Sequence, residues 1–331
     1  MRLPYPALLA ALGLAGALLF LASLLVGPAA IGLSDSLAAL IHGQGEAVTL
    51  VMREVRLPRA ILGAAIGAAL GLSGALLQGL LRNPLAEPGL IGTSSSAALG
   101  AVLAIQTGVS AAFALALPLA ALAGALASVA VLLLLSGPRG STLTLILAGI
   151  GISSLATATT ALILNLSPNP FAANEIIFWM MGSLADRSML HVQLALPFLG
   201  LGAVLAIPAA RSLDALTLGE DAAASMGVNL RRLRLLTVLS AALMVGAATA
   251  VAGAVGFVGL VVPHLLRRAC DARPSRLLAA SALGGAAVVL AADVAVRLIA
   301  PDRDLKLGVL TALVGAPFFL HLILRTRQEG L

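Results

Sequence analysis

Residues able to do covalent or metal chemistry are few in this 331-residue chain and poorly spaced for it. The histidines, His42, His191, His264 and His321, show no i, i+4 pairing and have no cysteine neighbour, so they lack the spacing of a metal site. His264 follows Pro263 and reads as structural. Cys270 is the one cysteine, which rules out an internal disulfide or a cysteine metal cluster. No acid, base and nucleophile converge, and no Gly-x-x-x-x-Gly-Lys-Ser/Thr phosphate loop occurs. The expectation is a protein that is not an enzyme and carries no cofactor or resident metal. What stands out is hydroxyl-bearing: Thr142, Gly149, Ser153, Thr157 and Thr160 recur at spacings that share one helical stripe. An uncharged stripe of this kind suits a pathway for a bulky, partly polar solute. The competing reading is that these hydroxyls bond carbonyls one turn back or a neighbouring helix.

The elements that must position such a stripe are membrane helices. Hydrophobic residues make up 60% of the chain and charged ones 10%, with mean hydropathy +1.08. A soluble domain carries about a quarter charged residues, so this composition belongs in lipid. Aromatics, at 3%, are too scarce for base stacking, and nucleic acid is not an expected partner. Crossing a bilayer takes about 20 apolar residues, and a charge at its centre costs at least about 2.5–3.5 kcal/mol. Charge-free runs therefore place ten helices near 7–27, 60–81, 90–107, 114–136, 142–165, 189–209, 233–252, 256–269, 277–297 and 307–325. The fold class is all-α, a single membrane domain over 1–331. The first run has the look of a signal peptide, but at about 20 apolar residues it is too long for a signal core. It is read as the first span. The stretch 171–182, with Trp179, reads as a short outer-face helix after the fifth span.

Ten spans put both termini on one side. Thirteen basic residues then share the cytoplasmic face, against seven outside: Arg53, Arg56, Arg59, Arg187, Arg297, Arg303 and Lys306. That asymmetry follows the positive-inside rule, so the termini are expected in the cytoplasm. The second span carries Gly63, Gly67 and Gly71, with Gly74 one position short of the next repeat, a spacing that lets helix backbones approach closely. Between the sixth and seventh spans lies the polar segment 211–234. Glu220 and Asp221 open a short helix of small residues, favoured at its positive N-terminal end, and Gly227 fits its stop. So short a helix needs a docking surface, either its own protein or a cytoplasmic partner.

Several stretches occur together and in order: Arg56–Arg59, Gly71–Gly74, Gln78, Arg82–Gly89, Gly140–Gly149, Gly219–Ala223, Met226–Val228, Gly256–His264 and Thr311–Phe318. With these the chain resembles the permease family of binding-protein-dependent ABC importers for ferric siderophores, haem and cobalamin, from about residue 50 onward. The resemblance implies a type II importer fold with ten helices per subunit, working as a homodimer in the bacterial inner membrane. It implies two ATP-hydrolysing subunits on the cytoplasmic face and a periplasmic binding protein that delivers the metal chelate. It implies that Gly219, Glu220, Asp221, Ala222, Ala223, Ala224, Ser225, Met226 and Gly227 form the coupling helix that docks into the ATPase. Arg56, Arg59 and Arg297 match arginines that pair with the binding protein, while Asn83 and Leu85, and Ser141 and Thr142, match two cytoplasmic gates.

Two stretches depart from the family pattern. Asp304–Gly308 carries Lys306 where the family commonly has a proline, which bears on the outer mouth and on substrate preference. Thr93–Ala97 stands where a glycine is frequent. The rival function, a secondary transporter of a small solute, would want ionisable relays in mid-membrane, whereas only Asp293 approaches a span, near its outer end. Among chelates, a ferric siderophore is the first expectation, with haem and cobalamin next.

Overall fold

A computed structural model of the chain describes residues 3–27, 29, 31–43, 45–113, 115–137, 142–300 and 305–329. Its described elements are helical. In chain order they are α1 (Tyr5–Leu25), α2 (Leu33–His42), α3 (Glu46–Leu80, with a π-helical turn over Val51–Arg56), α4 (Thr93–Gln106), α5 (Ala116–Ser136), α6 (Thr142–Asn165), α7 (Pro170–Met180), α8 (Met189–Ala206), α9 (Ala209–Leu216), α10 (Glu220–Ser225), α11 (Leu230–Ala252), α12 (Val258–Leu266), α13 (Pro274–Ile299) and α14 (Leu307–Glu329). The short helix expected after the fifth span is present as α7.

Among the described residues, seven helices are long and apolar enough to cross a membrane: α1, α3, α5, α6, α8, α11 and α13. Of the other three expected spans, the last is α14, whose apolar part covers Leu307–Leu322, and two are shorter. The helix expected over 90–107 starts at Thr93, because Pro88–Ile91 makes a tight 3-10 turn ending on Gly92 at φ +81°. The helix expected over 256–269 is the nine-residue α12. There Phe257 takes φ +67°, a left-handed conformation that forces the chain to restart rather than continue from α11.

α3, α11 and α13 occupy the interior, with α11 buried over most of its length. Close approach of α3 to its neighbours depends on missing side chains. A Cβ on Gly71 would collide with the Ser281 carbonyl of α13, and one on Gly74 with the Gly259 carbonyl of α12. The small-residue spacing in this span thus fixes two interhelical contacts. Gln78, one turn on, completes the junction: its Nε2 donates to the Leu260 carbonyl at 3.2 Å, and Arg267 donates to its Oε1 at 2.7 Å.

The two ends of the bundle differ in chemistry. At one end, Asp214 of α9 accepts from the backbone N–H of Ser275 at 2.8 Å and from its hydroxyl at 2.6 Å, tying α9 to the start of α13. Tyr5 donates to the Arg276 carbonyl at 3.1 Å at that same end. At the far end of α1 the last carbonyls have no partner within the helix. Arginines from elsewhere in the chain supply donors. Arg56 donates to Leu24 and Leu25, both at 3.0 Å, and Arg297 donates to Ser23 at 2.9 Å and Val26 at 2.6 Å. Cations at a helix C-terminus also complement its dipole.

Candidate functional site

Arg56, Arg59 and Arg297 lie together in one largely buried cluster. Arg56 is 4% exposed and adds a third carbonyl, that of Ala29, at 2.6 Å. The Asp293 carboxylate, 1% exposed, lies between the other two. Arg59 reaches it with Nε at 2.9 and 3.1 Å, and Arg297 donates to its Oδ2 at 2.8 Å. Arg297 also binds the Ser23 hydroxyl at 2.8 Å. Arg297 and Asp293 stand one turn apart on α13, and Arg59 joins that pair from 234 residues away in the chain. Three guanidinium groups against one carboxylate leave a positive excess, which the carbonyl end of α1 partly balances. Arg59, with 17% of its side chain exposed, is the most open of the three ion-pair partners.

At the opposite end the segment 211–234 folds into α9, α10 and the start of α11. Glu220 and Asp221 stand in the first turn of α10, Ser225 donates back to the Asp221 carbonyl at 2.9 Å, and Ala223 is fully buried. Gly227 stops the helix at φ +85°, with Val228 N–H donating to the Ala223 carbonyl at 3.0 Å, the left-handed closure expected of it. Gly219 enters α10 at φ +107°, and Ala222 and Ala224 complete it. Leu218 and Met226, at the two ends of α10, are 68% and 63% exposed. Arg234 donates to Glu220 Oε2 at 2.8 Å, holding α10 against α11.

The gate residues fall in two places. Asn83 is exposed, and its Oδ1 accepts from Leu85 N–H at 2.9 Å in a side-chain-closed turn. Thr142 opens α6, and Ser141 lies outside the described residues. The stripe expected on α6 divides. Gly149 and Thr160 are buried, Ser153 is half-buried with its hydroxyl 3.5 Å from the Gly89 carbonyl, and Thr157 is exposed. Successive helical residues turn by about 100°, so the two four-residue steps from Gly149 carry Thr157 about 80° around, onto the flank of the face that packs, and the three-residue step brings Thr160 back. The four residues therefore do not present one open surface in this chain.

Two polar contacts have no counterpart in the sequence reading. Glu87 Oε1 accepts from Phe257 N–H at 3.0 Å, placing a carboxylate at the start of α12, where unpaired N–H groups and the helix dipole favour it. The acidic residue within Arg82–Gly89 was the only available signal. His191 lies at the third position of α8 and exchanges contacts with Ser188 in a capping box, Ser188 N–H to Nδ1 at 3.3 Å. At the far end, a cavity of about 500 Å³ lies beside Arg187, Asp186, Glu175 and Lys306, with Lys306 over the ring of Phe178 at 5.5 Å. Burial pushes the Arg187 guanidinium below its usual range, partly offset by Asp186. Among the described residues no group of three His, Cys, Asp or Glu is arranged to hold a metal ion.

An interrupted helix, α11 followed by α12, buried among spans and capped by a carboxylate from another segment, is the kind of broken element that transporters use. The profile of the FecCD transport family matches residues 14–325. The chain belongs to the FecCD transport family. It is 38% identical over 288 residues to the hemin transport system permease HmuU of Yersinia pestis, covering 86% of each chain. It is 38% identical over 278 residues to the ferric dicitrate transport permease FecD of Escherichia coli K12, covering 84% of this chain and 86% of that one. It is likewise 38% identical over 291 residues to the cobalamin import permease BtuC of Halobacterium salinarum, covering 88% and 78%. A solved metal-chelate type ABC transporter in an inward-facing conformation superposes with a TM-score of 0.86 at 31% identity, over 97% of this chain and 99% of that one. Family membership thus extends back to residue 14, beyond the motifs that begin near residue 50.

Proposed function

We propose that this chain is the transmembrane permease subunit of an ABC importer that moves a bulky metal chelate across the bacterial inner membrane. The observation that carries the reading is its 38% identity, over most of its length, to permeases named for hemin, ferric dicitrate and cobalamin. The cargo class is a metal chelate, with a ferric siderophore ahead of haem and cobalamin. Two copies form the pathway, two ATP-hydrolysing partners engage the end bearing α10, and a periplasmic binding protein engages the end bearing the arginine cluster. Both termini lie in the cytoplasm, as the charge asymmetry supports.

Within this proposal α10 is the coupling helix, and its exposed flanks Leu218 and Met226 supply the apolar contact with the ATPase. Asn83, Leu85 and Thr142 gate the cytoplasmic side. On α6, Ser153 and Thr157 face the pathway, while Gly149 and Thr160 seat the helix against the bundle. The docking role expected of Arg56, Arg59 and Arg297 narrows to Arg59, with Arg56 and Arg297 supporting the surface from beneath.

The test is reconstitution with the ATPase and binding protein in proteoliposomes, followed by identification of the ligand that the binding protein retains. Uptake of that ligand should require ATP and stop with vanadate. Uptake driven by a proton gradient without the ATPase would instead make this a secondary transporter.

A further inference from the structure

Three of the stretches that stand out in the sequence, Arg82–Gly89, Gly256–His264 and Thr311–Phe318, meet at one residue, Phe257. Its backbone N–H donates to Glu87 Oε1 at 3.0 Å. Its side chain lies against Gly315 of α14, where a Cβ would collide with the Cβ and Cγ of Phe257. Phe257 itself, one residue ahead of α12, holds φ +67°. A residue with a Cβ takes that conformation at a cost and keeps it only where its surroundings over-determine it.

Side-chain packing does not supply that hold by itself. Phe257 borders two apolar cavities along α14, one of about 630 Å³ that reaches Met180 and Leu313, and one of about 350 Å³ that reaches Val288 and Thr311. With open space on both flanks the ring is not caged, so its place on Gly315 depends on where the backbone of Phe257 is fixed. Neighbouring contacts anchor the two partners. Pro88, next to Glu87, packs on Gly259, whose Cβ would lie 2.7 Å from the proline ring. His264 of α12 meets Phe318 of α14 edge-on, with ring centroids 6.1 Å apart, a favourable geometry for an aromatic pair.

We propose that Glu87 is the positioning residue for Phe257: its carboxylate fixes the left-handed backbone that sets the ring on Gly315, and so ties the 83–89 turn to α14 across the break between α11 and α12. Glu87 acts here as a hydrogen-bond acceptor, so a single acceptor oxygen at this position is sufficient. The tie is a property of the chain alone. Its use in transport, keeping that turn in step with α14, rests on the importer reading.

The test is double electron–electron resonance on the full-length chain in nanodiscs, labelled at Pro84→Cys and Leu313→Cys and diluted into unlabelled chain. Both positions are exposed, and Cys270, fully buried, is left in place. Glu87→Gln keeps an acceptor oxygen and should retain the distance distribution of the parent. Glu87→Leu removes the acceptor and should widen the distribution about twofold. Phe257→Gly takes a positive φ freely but has no ring to set on Gly315, and should widen it as much with the carboxylate in place. Combining Glu87→Leu with Phe257→Gly should add nothing further, since both cut one link. Thermal unfolding checks that each variant is folded; if Glu87→Leu does not fold, Phe257→Gly and Glu87→Gln carry the comparison. An unchanged width in Glu87→Leu or Phe257→Gly, a widening in Glu87→Gln, or widths that add in the double variant would each overturn the proposal. No cargo or nucleotide enters these measurements, so the importer reading stands or falls separately.

Discussion

Asp293 on α13 accepts both Nε and a terminal nitrogen of Arg59 on α3, at 2.9 Å each, and is almost wholly shielded from solvent. Arg297 holds the same carboxylate from the other side. A buried ion pair is weak evidence of net stability, but breaking one by removing a single partner is costly, because it strands a charge. Asp293→Ala should therefore destabilise the chain by about 3–5 kcal/mol, read as a lower unfolding midpoint in detergent. Asp293→Glu should recover part of that loss. An unchanged midpoint in Asp293→Ala would show that the arginines do not depend on this carboxylate.

The glycine contacts of α3 give a sharper contrast. Gly74→Ala places a methyl into the Gly259 carbonyl, and overpacking of this kind costs about 1–3 kcal/mol. Gly13, in the open face of α1, has nothing near the position of its Cβ. Gly13→Ala should be neutral or stabilising by about 0.5–1 kcal/mol, through helix propensity alone. Paired thermal unfolding of the two variants checks the prediction; equal behaviour would refute it.

Glu87 caps α12 from a distant segment. Replacing it with alanine removes the acceptor for Phe257 N–H and should cost about 1 kcal/mol, as loss of other helix N-terminal partners does. The loss should be local. Hydrogen exchange should quicken over 257–261 and stay unchanged in α1, and uniform protection would count against the cap.

Leu218 and Met226 project from the ends of α10 without supporting the fold. The double variant Leu218→Ser, Met226→Ser should unfold at the wild-type temperature. In the assembled importer it should weaken association with the ATPase by about 2 kcal/mol, the scale of a well-buried interface anchor. Light scattering or pull-down with the purified ATPase reads the effect. Wild-type association would move the ATPase contact elsewhere.

Features written into short stretches of chain were the ones visible beforehand. The Gly63–Gly74 spacing anticipated close helix packing, Gly227 anticipated the end of α10, and the charge-free runs located most helices to within a few residues, whereas α3 begins at Glu46 and not near residue 60, because the helix runs on through the charged 53–59 stretch. Those signals are local because backbone geometry enforces them locally. The contacts of the arginine cluster were hidden for the opposite reason. Arg56 and Arg297 have the spacing of surface cations, and only the folded arrangement brings the unpaired carbonyls of 23–26 within their reach. The same holds for Glu87, whose partner is 170 residues away. The residues of the α6 stripe differ in burial because two four-residue steps from Gly149 accumulate about 80° of rotation by Thr157, while the three-residue step to Thr160 turns back.

α13 runs unbroken for 26 residues, about 39 Å. Asp214 grips its foot through Ser275, and Arg59 and Arg297 grip its head through Asp293. It is thus a strut clamped at both faces of the bilayer. A displacement of α9 at one end of the bundle would therefore reach Arg59 and Arg297 at the other through one continuous helix.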